Sequence, residues 1–259
     1  MIIRTYTELE EYFEMFGKQN LDLLIVLSRG GLGKTTTLKR VMKNKNFVYI
    51  NTHSTPLKTY LTLYEQQDNC VAFDDVGSIL TNPIMVSMLK SLSDTNPIKE
   101  INYNTTSKLI GNAPENFKTA SNVCLLLNEF DVRSKTLLPI IDRGFYVEFI
   151  PSNEEIMQKI RQISKSQSII ENPKQVLDFF ENNYSKIEKL SLRTFIKALQ
   201  LSSFNKNTWK ERFMQLIGFS EKMINYYQVK EKYKTDKERI SHFRWSRATY
   251  FRIKQECEE

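Results

Sequence analysis

One stretch constrains the chain more than any other: Leu23-Leu24-Ile25-Val26-Leu27-Ser28-Arg29-Gly30-Gly31-Leu32-Gly33-Lys34-Thr35-Thr36-Thr37. An apolar run of strand type stops at a glycine-rich turn, and a Lys-Thr pair then opens a helix-forming segment. In that order the glycines let backbone N–H groups turn inward and approach a phosphate chain. The first turn of the helix adds unpaired N–H donors and the positive end of its dipole. The loop of Ser28, Arg29, Gly30, Gly31, Leu32, Gly33, Lys34, Thr35 and Thr36 is therefore read as a cradle for the phosphates of ATP. Lys34 is placed to reach the β- and γ-phosphates, and the Thr35 hydroxyl to ligate Mg²⁺. Ser28 stands where the pattern G-x-x-x-x-G-K-[ST] has its first glycine. Serine does not adopt φ > 0 freely, which leaves the geometry of that end of the loop open.

The rest of the composition sets bounds on this reading. A chain of 259 residues holds one α/β domain of ordinary size and a smaller one, and 41% apolar residues suffice for a real core. The longest apolar runs fall far short of a membrane span, and Met1-Ile2-Ile3-Arg4-Thr5-Tyr6 lacks the plan of a signal peptide. The expected location is the cytoplasm, that of the host if the source is a virus or phage, with no membrane partner. Cys70, Cys124 and Cys257 are too scattered for a disulfide framework or a zinc site, and the first two sit in strand-like runs as small hydrophobes. Charge is uneven: residues 160–259 carry 20 Lys and Arg against 12 Asp and Glu, an excess of 8, so the remainder carries −1 of the total +7. A basic C-terminal part points to an anionic polymer, most simply DNA. A solvated basic surface with no specific partner is the alternative.

Taken in order, Thr7-Glu8-Leu9-Glu10 has the form of a capping box ahead of Tyr12, Phe13 and Phe16 at helical spacing, with a stop at Gly17. Phe47-Val48-Tyr49-Ile50 reads as a strand, and Pro56 as the start of a helix. Cys70-Val71-Ala72-Phe73-Asp74-Asp75 is the second chemical landmark, a buried-type strand ending in two acids. Asp74 would hold the Mg²⁺ shell through water, and Asp75 would polarise the attacking water. Asn82-Pro83 opens an apolar helix, Lys99 to Asn104 alternates like a strand, and the chain to about Thr119 reads as polar and loop-rich. Val123-Cys124-Leu125-Leu126-Leu127-Asn128 is another buried-type strand, tipped by an amide that can orient water or meet the γ-phosphate. A simple turn role for Asn128 stays open.

This series of loop, acid-paired strand, amide-tipped strand and Asp142-Arg143 resembles the AAA+ ATPase family over residues 20–200. It is especially similar to compact ATP-binding proteins of phages, viruses and plasmids. The resemblance implies an α/β fold: a parallel P-loop sheet flanked by helices, a small helical lid and a helical C-terminal tail. It implies that Asn128 is sensor 1, and that Arg143 is an arginine finger acting on a neighbouring subunit's ATP, with Arg133 a competing candidate. Ser191-Leu192-Arg193-Thr194 matches the sensor 2 pattern, which would put Arg193 near the γ-phosphate of its own subunit's nucleotide. Family members mostly carry Glu where Asp75 stands; Asp is one methylene shorter, which leaves the rate of hydrolysis open. A site shared between subunits implies a homo-oligomer, a ring or helical filament and most simply a hexamer.

After the strand Tyr146 to Ile150 the chain turns helical. The expected division is an ATPase core over 1–151, a helical lid over 152–222 and a basic tail over 223–259. Asp236 to Arg252 resembles a helix-turn-helix with Ser246 capping its second helix. Arg244, Arg247, Thr249, Arg252 and Lys254 could meet phosphates or base edges there, while Phe243, Trp245 and Phe251 pack the unit together. The function expected is an ATPase that controls oligomeric assembly on DNA in replication or transposition of a mobile element or virus. Its partner in that role would be a replicative helicase, a recombinase or a transposase. Two alternatives remain at this stage. One is a helicase resembling superfamily 3, with Lys99 to Lys108 as a pore hairpin; the other is a nucleotide-dependent switch with little turnover.

Overall fold

The computed structural model describes all residues except 52–53, 75–79, 129–137, 167–172, 244 and 259. The chain divides into two compact units, Met1–Glu155 and Ile156–Glu259.

The first unit is built on a six-stranded sheet of β1 (Ile2–Ile3), β2 (Leu23–Leu27), β3 (Phe47–Asn51), β4 (Cys70–Asp74), β7 (Val123–Leu127) and β8 (Phe145–Phe149). The order across it is β1-β8-β2-β7-β4-β3, and every pair is parallel. A parallel sheet covered on both faces demands continuous apolar strands, and the central ones comply. Leu23, Ile25, Val71, Phe73, Val123, Leu125 and Leu127 join one core with Tyr60 and Leu63 of α3 (Pro56–Glu65) and Met85 and Leu89 of α4 (Pro83–Leu92). The alternate residues Leu24, Val26, Ala72, Cys124 and Leu126 are buried as well. On that side α1 (Tyr6–Gly17) meets β2 and α2 (Lys34–Val41).

Between α4 and β7 lies an antiparallel hairpin of β5 (Lys99–Asn102) and β6 (Asn116–Thr119). The polar stretch that reads as loop up to Thr119 therefore ends in a strand. It was hidden because only Phe117 and Thr119 of β6 turn inward. Phe117 and Tyr103 pack against the Tyr60 ring, with centroids 5.3 and 5.1 Å away. Lys99, the first residue of the supposed pore hairpin, is buried. Its Nζ bonds Asp22 Oδ1 at 3.0 Å and the Ser121 carbonyl at 2.8 Å. An ammonium spent on that pair ties the hairpin to the sheet and cannot grip a nucleic acid.

The second unit is helical: the rest of α6 (Asn153–Ser166), α7 (Pro173–Asn183), α8 (Leu192–Phe204), α9 (Trp209–Leu216), α10 (Glu221–Lys232), α11 (Asp236–His242) and α12 (Arg247–Glu258). Phe180 packs edge-on to Phe195 at 5.2 Å and against Phe213 at 5.3 Å, and Phe179 meets Trp209 at 5.5 Å. A second small core forms from Tyr226, Tyr250, Ile253 and Cys257, with Ile240, Phe243 and Trp245 against it. The lysine-rich start of the tail is thus α10, capped by Ser220, whose hydroxyl accepts from Met223 N. Among the described residues no helix is long and apolar enough to cross a membrane.

The capping box of α1 differs from the sequence expectation. Thr5, not Thr7, is the N-cap: its side chain accepts from Glu8 N, while Glu8 Oε2 accepts from Thr5 N at 2.9 Å. The motif T-x-x-E occurs twice in a row here, and burial of Tyr6, Leu9, Phe13 and Phe16 selects the earlier frame. Thr5→Ala should therefore cost about 1 kcal/mol in denaturant unfolding, whereas Thr7→Ala should cost at most a few tenths.

Candidate functional site

The C-terminal ends of parallel strands are where ligands meet an open α/β sheet. Here β2 ends at the glycine loop, β4 at Asp74 and β7 at Leu127, just before Asn128. Ser28 continues the ladder of β2, its N–H donating to the Leu127 carbonyl at 3.1 Å. Among the described residues the non-glycine positions with positive φ are Gln19 and Asp68, so Ser28 needs no left-handed turn. That backbone falls instead to Gly31 at φ 85° and Gly33 at φ 83°, the latter the N-cap of α2. Arg29 and Gly30 are exposed, while Leu32 is buried and its carbonyl accepts from the Tyr6 hydroxyl at 3.0 Å. Burial, then the nearby Glu155 carboxylate, raises the Tyr6 phenol well above its usual range, so it stays a neutral donor holding the loop to α1.

Lys34 is 6% exposed, and its Nζ reaches the Ser28 carbonyl at 2.5 Å, Ser28 Oγ at 2.9 Å and Asn128 Oδ1 at 3.0 Å. Those three oxygens are neutral dipoles. A phosphate oxygen entering beside them would bring full charge, and charge-assisted bonds are roughly twice as strong. One residue further on, Thr35 Oγ1 donates to Asp74 Oδ2 at 2.6 Å. The fold therefore brings Ser28, Lys34 and Asn128 into one contact set, and Thr35 and Asp74 into a second beside it. Thr36 follows in the first turn of α2.

Sequence reasoning missed Tyr49. Its hydroxyl donates to the same Asp74 Oδ2 at 2.5 Å, and Lys39 Nζ lies 3.8 Å from the centroid of its ring. Nothing in the run Phe47-Val48-Tyr49-Ile50 signals this; the pairing of β3 beside β4, Asn51 opposite Asp74, creates it.

The donor set suits Mg²⁺ rather than a protein-caged metal. Among the described residues no group of three His, Cys, Asp or Glu side chains gathers. One hydroxyl and one carboxylate beside a helix N-terminus match an ion that keeps its waters and takes phosphate oxygens as further ligands.

Asp75, Arg133 and Arg244 fall outside the described residues. Arg143 is exposed at the end of α5 (Leu138–Arg143), and one guanidinium nitrogen donates to the Lys90 carbonyl near the end of α4 at 2.9 Å. Arg193 is exposed in the first turn of α8 in the second unit, after a capping box of Ser191 and Thr194. In α12, Arg247 and Arg252 are exposed. Thr249 Oγ1 lies 2.9 Å from Ser246 Oγ, and Lys254 Nζ donates to Asp236 Oδ2 at 2.6 Å. That lysine holds the Asp236 carboxyl below its ordinary range. Phe243 and Trp245 stack at 3.9 Å, but Phe251 is 42% exposed with Arg247 over its ring.

With this geometry in view, domain III of the replication initiation protein DnaA from Thermotoga maritima superposes with a TM-score of 0.50. It is 16% identical, over 78% of this chain and 84% of that one. A mutant of Thermotoga maritima RuvB superposes at 0.52, 12% identical over 86% of this chain and 72% of that one. The fold is that of the AAA+ P-loop ATPases. At these identities the likeness is one of fold. No family model matches the chain. A 36.7 kDa uncharacterized protein from the nrdC-mobD intergenic region of Enterobacteria phage T4 is 23% identical over 217 residues, 74% of this chain and 67% of that one.

Within the AAA+ fold, Lys34 is the side chain on which a bound triphosphate would depend most. Lys34→Ala should lower ATP affinity at least a hundredfold, about 2.7 kcal/mol or more. Its melting curve should stay close to that of the parent. A fluorescent ATP analogue read alongside a thermal melt checks both.

Proposed function

We propose that this chain is an ATPase that binds and hydrolyses Mg²⁺-ATP and uses nucleotide state to control its own oligomeric assembly on DNA. The setting we propose is replication or transposition of a mobile element or virus, with the chain acting as a helicase loader or regulator in the cytoplasm. The observation that carries the reading is the pair of contacts Lys34–Asn128 and Thr35–Asp74, side by side where three parallel strands meet the start of α2. Lys34 would bind the β- and γ-phosphates, and Thr35 and Asp74 would hold Mg²⁺, which supplies charge neutralisation for phosphoryl transfer. Asp75 would polarise the attacking water, and Asn128 would orient that water or contact the γ-phosphate.

The DNA setting is supported by the fold it shares with a replication initiation protein and by the phage source of a relative. It is also supported by the exposed arginines of α12, set on a small core of α10, α11 and α12. On that basis we divide the second unit further, into a lid to residue 222 and a DNA-binding tail over 223–259.

Among the described residues Arg143 is exposed and held through a carbonyl, so a second copy could present its ATP to it. Arg193 would act on the nucleotide of its own chain. If Arg143 works between subunits, Arg143→Ala and Lys34→Ala proteins should each be inactive alone. A co-assembled mixture should recover part of the ATPase rate, because one interface then has both an intact P-loop and an intact finger. No recovery in a mixture shown to co-assemble removes the trans role.

The tail is tested through salt. Arg247→Ala with Arg252→Ala should weaken DNA binding and lower the log–log salt slope by roughly two units, one for each phosphate contact. ATP binding should be unchanged. Identical affinity and slope would place DNA contact elsewhere.

A further inference from the structure

We propose that Tyr49 is a positioning residue for the metal, holding the Asp74 carboxylate in the orientation that Mg²⁺ requires. The inference rests on the Mg²⁺-ATP reading above and extends it to a side chain that no motif contains.

A carboxylate oxygen offers about two in-plane acceptor sites. On Asp74, Oδ2 receives both the Thr35 hydroxyl at 2.6 Å and the Tyr49 hydroxyl at 2.5 Å. Two short bonds to one oxygen, from α2 on one side and β3 on the other, fix the rotation of the carboxyl group. Among the described residues no donor takes the other oxygen, Oδ1, which would accept from a water of the metal shell. The phenol is itself held: Lys39, one turn along α2 from Thr35, places its ammonium 3.8 Å from the ring centroid. Lys39 and Thr35 come from one helix, so α2, the Tyr49 ring and the Asp74 carboxylate form a closed set of contacts. Orientation of a metal's carboxylate partner by an outer hydrogen bond is a recognised way of setting affinity.

Removing the bond should then cost metal binding and leave the phosphate cradle alone. Tyr49→Phe keeps the ring under Lys39 and deletes only the hydroxyl. Binding of a fluorescent ATP analogue would be measured for the parent, Tyr49→Phe and Lys34→Ala, in EDTA and across a Mg²⁺ titration, with a thermal melt of each. In EDTA, Tyr49→Phe should bind within about twofold of the parent, while the Mg²⁺ concentration for half-maximal tightening should rise about tenfold. Lys39→Gln should move that midpoint in the same direction by less.

An unchanged midpoint in folded Tyr49→Phe overturns the proposal, and a lowered midpoint overturns it in favour of a phenol that competes with the metal. Loss of binding in EDTA as well would make Tyr49 a nucleotide contact and also overturns it. If Lys34→Ala binds like the parent, the P-loop reading fails and the inference falls with it. If Lys34→Ala loses binding and only the Tyr49→Phe midpoint stays still, the P-loop reading stands alone.

Discussion

The site depends on β7 being hydrogen-bonded between β2 and β4. Its register sets Leu127 opposite Leu27, and Leu126 opposite Asp74. With strands spaced at about 4.8 Å, the tips of β2 and β4 stand roughly 10 Å apart. That gap is too wide for direct contact, yet Lys34 and Thr35 at the start of α2 bridge it, one reaching back to Asn128 and the other on to Asp74. A one-residue slip of β7 would turn Leu125 and Leu127 out of their core and remove Asn128 from Lys34 together. Because β7 is apolar on both faces, burial alone specifies that register weakly, and the polar contacts at the strand tips add to it.

How much of this was legible in the residues follows from what each part of the fold demands. Leu23–Leu27, Cys70–Asp74 and Val123–Leu127 announce themselves because strands buried on both faces must be apolar throughout. The glycine loop is legible because its backbone excludes most other residues. β6 was not, since a strand on a half-exposed hairpin needs only alternate inward residues, and Asn116 and Lys118 read as loop. The cap of α1 was misplaced because two T-x-x-E frames overlap and only packing distinguishes them. The tail reads as helical, but the bounds of α10 do not, because its lysines mask a weak apolar stripe of Ile224, Tyr226 and Val229. Tyr49 could not be found at all: its partner is set by which strand lies beside β3, and a linear sequence does not display strand neighbours.

The second unit shows why a charge count overstates a binding surface. Lys210 pairs with Glu231, Lys230 with Glu258, Lys254 with Asp236, and Arg239 with the Asp236 carboxylate and the Tyr233 carbonyl. Each such pair at a surface is worth at most about 1 kcal/mol, but each also engages a cation that the sequence counts as available. Tyr226 and Tyr250 bury their rings and spend their hydroxyls on Glu258 and Asp236, closing the same network. What α12 then turns outward is its opposite face, with Arg247, Phe251 and Arg252, the last also paired with Glu256 one turn along. Positive charge beside an exposed aromatic ring is a surface that can meet both a phosphate and a base.

Ser28 shows how a departure from a motif can be absorbed. The first glycine of the pattern is needed only where the backbone must turn left-handed, and in this chain that turn falls at Gly31 and Gly33. At Ser28 the backbone still belongs to the sheet, its N–H on the Leu127 carbonyl, so a Cβ is tolerated. The side chain that comes with it supplies a second oxygen to the Lys34 ammonium, 2.9 Å away. A buried lysine without such acceptors would bear a desolvation cost of several kcal/mol. The residue that breaks the motif thereby stabilises the lysine on which the motif depends.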